Sequence, residues 1–329
     1  MAAIKDVAKL AGVSVAAVSK YLKTPENMRE ETRQRISDAI RELNYRPNPL
    51  AQSLRTGKTN IVAIALPEVD NPYFTKMFKL LQEQCEARGL LAVLLKNATN
   101  DQAKKTASIL KSGLVDGVIC YDEGQADTFI SEVEVTIPIV KLGPLSDSSY
   151  PATVGIDLRT GMQKLCRHLE QTGVRRIGYI GPDNDISSMQ KIQAIRDYCA
   201  GNELTLDPQA FLTNCNSYST GYTCSRQLLQ PGVTLPEAVI VESDMIALGV
   251  LKGLSESGLR IPQDIRLTGY DNTDISQMSN PSLTTVHIPM EEICTSAMTM
   301  LCQLMDGQRV EPMVFRTDLK IRASTQGTK

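Results

Sequence analysis

The sequence predicts an α/β protein with a small helical head, and three observations predict it. Near the start of the 329-residue chain, two short apolar-periodic runs meet at Ala11-Gly12-Val13-Ser14. Beyond Asn60, short β-branched runs alternate with helix-length amphipathic stretches, which is the pattern of βαβ units and parallel sheets. The charge divides at the same place. Residues 1–60 carry eleven Lys or Arg against six Asp or Glu, a formal +5, so the chain's net −2 leaves −7 for residues 61–329.

In the head, Val7, Leu10 and Ala11 fall on one face of the first run and Val15, Val18 and Leu22 on one face of the second, so each is expected to bury a stripe. Gly12 accepts the left-handed backbone that stops a helix, and Ser14 can take a hydrogen bond from an amide one turn into the next. Between Arg29 and Leu43, residues Ile36, Ala39, Ile40 and Leu43 follow helical spacing and close a three-helix core. An ordinary helical hairpin fits this much. The basic excess adds what a DNA-binding module needs, because each neutralised phosphate releases counterions. The stretch Asn48-Pro-Leu-Ala-Gln-Ser-Leu-Arg-Thr-Gly57 then reads as a brief helix with Asn48 as cap, Pro49 at its first position and Gly57 at its end. Helices below ~12 residues are marginal alone, so this one needs partners.

Strands are expected at Ile61–Leu66, Leu91–Leu95, Val115–Tyr121, Pro138–Gly143, Arg176–Gly181, Ala238–Glu242 and Ile265–Tyr270. This length exceeds one typical core, so two lobes are expected. In open parallel sheets, ligands bind beyond the carboxyl ends of the strands. Asp271 directly follows one strand, and its carboxylate can accept two hydroxyl hydrogen bonds from a sugar or polyol. Tyr73 and Phe74 follow the first strand and either stack on a ligand ring or fill the lobe core. Ser243 ends another strand. Asp271 and Asp244 also fit the plainer role of helix caps.

The segments Ile4-Lys-Asp-Val-Ala8, Ala11-Gly-Val-Ser14, Val18-Ser19, Glu31-Thr-Arg33 and Leu43-Asn-Tyr-Arg-Pro-Asn48 resemble the DNA-binding head of the lactose/galactose repressor (LacI/GalR) family. Body motifs extend the resemblance over essentially the whole chain, among them Asn71-Pro-Tyr-Phe74, Ser243-Asp-Met-Ile-Ala-Leu-Gly249, Gly269-Tyr-Asp-Asn272 and Leu283-Thr-Thr-Val286. It implies a helix-turn-helix domain at 1–46, a hinge helix and linker at 47–59, and a two-lobed periplasmic-binding-protein-like body at 60–329 for effector binding and dimerisation. It also implies three crossings between lobes, near Asp157-Leu158, Val286–Pro289 and Thr317-Asp318. Lobe one then comprises about 60–157 and 289–317, and lobe two about 158–288 and 318–329.

By the same resemblance, Val15, Ala16 and Lys20 face base edges, Ser14 and Ser19 touch backbone phosphates, and Leu54, flanked by Arg55, wedges into a base step of the minor groove. Only Lys20 offers hydrogen bonds to bases; Val15 and Ala16 pack on a thymine methyl or simply within the head. Losing stacking at the wedge is offset by bent DNA that meets more protein. The sequence departs from the family pattern at Ala3 and Ala17, where Thr is usual, and at Lys20 and Lys23, where Arg and Asn are usual. In the cleft, Lys191 stands where an Arg is common, and Asn216, with Tyr218 nearby, where Trp or Phe is common. Lysine lacks the planar fork of arginine, so Lys191 suggests a point charge drawing a phosphorylated or acidic ligand.

The reading is a homodimeric repressor, not an enzyme, that binds a pseudo-palindromic operator under control of a sugar, sugar phosphate or similar effector. A protein partner as the controlling signal is the alternative, and a solute-binding protein without regulatory role is a further one. No dinucleotide fingerprint, P-loop or nucleophile elbow is present, and His168 and His287 are the only histidines, so no metal or cofactor is expected. The eight cysteines include no C-x-x-C pair and read as buried small apolar residues of a cytoplasmic protein, with a catalytic or redox Cys120 as a remote alternative. No apolar run approaches the ~18 residues of a membrane span.

Overall fold

The computed structural model describes residues 2–46, 57–96, 108, 110, 113–122, 137–145 and 150–326. It divides into two units, Met1–Thr59 and Asn60–Lys329. The expected hinge contacts Leu54 and Arg55 lie outside the described residues.

In the first unit, α1 (Ile4–Leu10), α2 (Val15–Lys23) and α3 (Glu30–Glu42) enclose Val7, Ala8, Ala11, Val18, Ile36 and Ala39. Gly12 sits at φ +63° and ends α1. There the Val13 amide donates to the Ala8 carbonyl and the Gly12 amide to that of Lys9, so two end carbonyls of the helix are satisfied within one turn. Ser14 caps α2 by accepting from the Ala17 amide at 3.1 Å. At the start of α1, Ala3 offers no side-chain cap; instead Asp6 reaches back and accepts from the Ala3 amide at 2.8 Å. One expectation fails. Leu10, Val15 and Leu22 are 46%, 36% and 38% exposed, because the small Ala8 and Ala11 let the helices approach so closely that Val7 and Val18 fill the space between them.

The body holds two six-stranded sheets. The first has the order β11 (Met313–Arg316), β5 (Thr153–Asp157), β4 (Ile139–Pro144), β3 (Gly117–Tyr121), β1 (Ile61–Leu66) and β2 (Leu91–Lys96), all parallel. The second runs β12 (Asp318–Lys320), β10 (Thr284–His287), β9 (Arg266–Asp271), β8 (Ala238–Val241), β6 (Arg176–Ile180) and β7 (Thr205–Leu212), parallel except for the β10–β12 pair. Five of these strands, β5, β7, β10, β11 and β12, exceed the seven expected. All seven expected strands are present, with ends shifted by at most two residues.

The chain passes between the sheets at Asp157-Leu158, after His287 and at Thr317. Helix Leu158–Gln171 follows β5 of the first sheet and leads into β6 of the second; helix Met290–Met305 follows β10 of the second and packs on Cys85 and Met77 beneath the first. One apolar core therefore runs from Ile64 and Leu142 through Leu158 and Val286 to Ile177 and Ile195. Thr317, 1% exposed, ties the crossings together. Its hydroxyl donates to the Asp157 carbonyl and accepts from the Gly161 amide, both at 2.8 Å. A side chain at Gly161 would bring its Cβ within 2.4 Å of that hydroxyl and of Val286.

The cysteines divide. Cys85, Cys120, Cys166 and Cys294 are buried and outside any disulfide, as expected, Cys199 and Cys302 are only half-buried, and Cys215 and Cys224 form a disulfide, which corrects the expectation for that pair. The loop after β7 folds back on helix Tyr218–Gln227 and brings the two together. Burial pushes the Cys85 thiol up to about 11 and the Cys294 thiol up to about 12, and drives Cys120 in the same direction. None is a poised nucleophile.

Thr317→Val keeps the shape of the side chain but leaves a buried amide and a buried carbonyl unpaired. Urea unfolding should then show a loss of about 1–3 kcal/mol. A change indistinguishable from zero would remove Thr317 from its bridging role.

Candidate functional site

Two groups of chemistry-bearing side chains stand apart from packing. The first is on α2, where Ser14, Val15, Ala16 and Lys20 are exposed and Ser19 is half-buried. Lys5, Lys9, Lys20 and Lys23 form no ion pair among the described residues, whereas Arg33 and Arg41 on α3 are paired with Glu30 and Asp38. An ammonium without an internal anion keeps its full attraction for phosphate. Val15 and Ala16 leave one end of α2 slender. Ser14 is already engaged as the α2 cap, though its oxygen retains a second lone pair and its hydroxyl proton.

The second group lies at the carboxyl ends of the strands in the second sheet. Helix Ile186–Gly201 carries Lys191, Glu242 follows β8 directly, Ser243 caps helix Asp244–Glu256, and Tyr270 and Asp271 end β9. The Lys191 ammonium lies 2.5 Å from Glu242 Oε1, 3.2 Å from the Glu242 carbonyl and 3.9 Å from the centre of the Tyr270 ring. Burial works against this ammonium, but Glu242 and then Asp271 outweigh it and hold it above the ordinary lysine value. Burial likewise drives the Glu242 carboxyl upward while Lys191 opposes it. Lys191 is therefore not the free point charge that the sequence suggested.

Asp271 is half-buried and accepts no hydrogen bond among the described residues. It adopts φ +101° and Asn272 φ +56°, and a non-glycine residue held at such an angle costs of order 1–3 kcal/mol. A network next to it holds that geometry. Asn272 receives a hydrogen bond from Arg322 at 2.6 Å and its amide nitrogen meets His287 Nδ1 at 3.0 Å. Asp244, fully buried, accepts from the Thr273 amide and hydroxyl at 2.7 and 2.9 Å and from the Thr285 hydroxyl at 2.6 Å. Its role is to fix the loop after β9. Burial pushes the Asp244 carboxyl up to about 6, against the pull of those donors. Burial also raises Asp271, opposed by Lys191 and reinforced by Asp244 and Glu242. Asp271 opens on a cavity of about 120 Å³ shared with Lys76, Asn272, Thr273, His287 and Met290.

The remaining expected contacts fall elsewhere. Tyr73 and Phe74 are buried and pack edge-on with each other and with Tyr121, at ring separations of 5.0–6.1 Å, which is the core arrangement. Asn216 is exposed and its amide donates to Thr220. Ser243 accepts from the Ile246 amide as a helix cap. Sequence reading missed Glu242 and Tyr270; the acidic residue immediately before Ser243-Asp244 was the available signal. Gly181 makes room for Glu242, since a Cβ there would come within 2.4 Å of that of Glu242. No group of three or more His, Cys, Asp or Glu able to hold a metal occurs among the described residues, and no described helix is long and apolar enough to cross a membrane.

Two family models match this sequence: bacterial regulatory proteins, lacI family, at residues 3–48, and the periplasmic binding protein-like domain at 166–325. The chain is 29% identical to the HTH-type transcriptional repressor CytR of Escherichia coli, covering 99% of this chain and 96% of the relative. It is 27% identical to catabolite control protein A of Staphylococcus epidermidis, covering 98% and 99%. The lac repressor dimer bound to operator and the anti-inducer ONPF superposes with a TM-score of 0.87 at 25% identity, covering 99% of both chains. The CelR–cellobiose complex gives 0.70 at 26%, covering 98% of this chain and 100% of the other.

A carboxylate whose folded-state value is raised destabilises the fold above that value, and the effect fades as pH falls through it. Asp271→Asn removes that charge at a position whose backbone suits Asn. Calorimetry of the unliganded chain should show a Tm gain over the parent that widens as pH rises above the ordinary carboxylate range, reaching roughly 2–4 °C for each 1 kcal/mol relieved. A gap that narrows with rising pH would contradict the assignment.

Proposed function

We propose, from the matches to the lacI family of bacterial regulatory proteins at residues 3–48 and to the periplasmic binding protein-like domain at 166–325, that the chain is a repressor-like transcription regulator of that family with DNA-binding and effector-binding domains, and that it binds a pseudo-palindromic operator as a homodimer. The observation that carries this is the exposed face of α2, where Lys20 stands unpaired beside the small side chains of Val15 and Ala16. One such helix reaches too few bases for useful specificity, and two-fold pairing doubles the reading. The lac repressor neighbour is a dimer on its operator, which supports the same assembly here.

In this proposal Lys20 donates to guanine O6 or N7, Val15 and Ala16 lie against a thymine methyl, and Ser14 and Ser19 hold phosphates. Leu54 and Arg55 supply the minor-groove wedge. The effector enters between the lobes, with Asp271 accepting from its donor groups and Lys191 beside it; Tyr73, Phe74, Asn216 and Ser243 are not carried into the contact, since the first two pack in the core, Asn216 is exposed and Ser243 caps a helix. A sugar or sugar derivative fits best: the CelR neighbour holds cellobiose, and Asp271 is a carboxylate with acceptor capacity to spare. The effector biases the two lobes between arrangements only through its different affinity for each.

Selection of duplexes by the full-length chain should return a two-fold symmetric site. Lys20→Ala should relax the preference at one position of each half-site and weaken binding roughly 5- to 150-fold per contact, since a good base contact contributes ~1–3 kcal/mol. Unaltered preference and affinity would sink Lys20 as a reader. In a thermal-shift series with uncharged sugars and nucleosides, a saturable rise in Tm that Asp271→Ala abolishes identifies the effector class; silence across the series argues for a protein partner instead.

A further inference from the structure

At the carboxyl ends of the strands in the second sheet, beside Asp271, lies a complete ion pair that the family-like motifs did not announce. Lys191 is 4% exposed and Glu242 13%. The ammonium has three protons, and three electron-rich neighbours surround it: the Glu242 carboxylate, the Glu242 carbonyl and the Tyr270 ring. Tyr270 in turn donates its hydroxyl to the Leu158 carbonyl at 3.1 Å, at the first crossing between the lobes. The pair is thus fixed from below by a fully buried ring and from the side by Gly181, which leaves space for the Glu242 stem.

The charges around it do not favour an anion. Lys191 is neutralised by Glu242, Asp271 stands alongside without a hydrogen-bond donor among the described residues, and Asp185 adds a further carboxylate that bears on both Lys191 and Glu242; the cavity on which Asp271 opens sets Glu291 and Glu292 against the one ammonium of Lys76. A phosphate placed here would meet a cation already held by a closer carboxylate, with a second carboxylate facing it. A hydroxyl or N–H group would meet Asp271 as an open acceptor.

On the reading that the inter-lobe cleft receives the effector, we propose that Glu242 is a specificity determinant of that cleft. By occupying Lys191 it excludes phosphorylated and carboxylated ligands, and it restricts the effector to compounds without an anionic group whose hydroxyl or N–H donors reach Asp271. Glu242 acts through Lys191 and is in that sense a positioning residue. This also separates two ligands that otherwise share a skeleton, a free sugar and its phosphate ester: the former is admitted and the latter refused.

The test is a thermal-shift titration of the full-length chain with inorganic phosphate, against sodium chloride at matched ionic strength to cancel effects on the basic head. The parent should show no saturable shift. Glu242→Gln keeps the side-chain length and removes the charge, and it should bind phosphate at least tenfold more tightly than the parent; the gain should vanish in the double variant K191M/E242Q. Glu242→Ala serves as the second variant should the amide fail to fold. A saturable phosphate response in the parent that Lys191→Met abolishes overturns the proposal, as does a Glu242→Gln chain that binds phosphate no better than the parent. If uncharged sugars bind the parent and lose binding in Asp271→Ala while Glu242→Gln gains nothing, this proposal fails and the effector reading stands. If Glu242→Gln gains phosphate through Lys191 while no uncharged ligand binds the parent, the effector reading fails and with it the claim that Glu242 selects the effector; what stands is only that Glu242 withholds Lys191 from anions.

Discussion

The body depends on a constraint of connectivity: one chain passes three times between two sheets, and the three passages must pack side by side without leaving backbone groups unpaired. Thr317 meets the constraint by serving two passages with one hydroxyl, on the Asp157 carbonyl and the Gly161 amide. Gly161 meets it by carrying no side chain where Thr317 and Val286 close in. Because the apolar core continues through this junction, the two lobes share a base while their strand ends stay free to form a cleft.

The cleft itself is built from groups that oppose one another. Burial disfavours every charge in it, so each charge present is either answered or exposed to an incoming group. Lys191 is answered by Glu242, and Asp244 by Thr273 and Thr285. Asp271 is answered by no donor among the described residues, and it sits on strained backbone that Arg322 and His287 hold through Asn272. Strain and an open acceptor at the same residue, on the rim of a cavity, are the observations on which the proposed effector contact rests. The Tyr270 ring lies under the Lys191 ammonium and its hydroxyl reaches the first crossing. A change in the cleft is therefore one residue removed from the junction between the lobes.

What was legible in the sequence follows from how local each signal is. Buried parallel strands such as Ile61–Leu66 and Ala238–Val241 announce themselves as continuous apolar runs. The missed strands lack that run: Thr205–Leu212 holds Asp207, Pro208 and Gln209, and Met313–Arg316 and Asp318–Lys320 are short edge strands with exposed faces. The Gly12 turn and the Ser14 cap were legible because their hydrogen bonds close within five residues. The Lys191–Glu242 pair was not, since its partners lie 51 residues apart and meet only after two strands have been placed in one sheet. Lys191 alone reads as an open anion hook, and only its partner reverses that meaning.

The head shows the same limit from the other side. Helical spacing groups Val15, Val18 and Leu22 on one face, yet only Val18 is buried. Spacing reports which residues share a face; the size of their neighbours decides which of them the core can reach. Ala8 and Ala11 bring the helices so close that the core closes around Val7 and Val18 before it reaches Leu10, Val15 and Leu22. Singly exposed apolar side chains are ordinary on a protein surface, so it is Val15 together with its polar neighbours that would define the surface α2 meets. On α2 that surface must also tolerate Lys20 and must accept a hydroxyl at Ser14. A base edge that combines a methyl group with hydrogen-bond acceptors and an adjoining phosphate satisfies all three demands at once. An ordinary protein partner would have to bury the unpaired lysine to reach Val15. The exposure that breaks the periodic reading is thus also the strongest argument in the head for a groove as its counterpart.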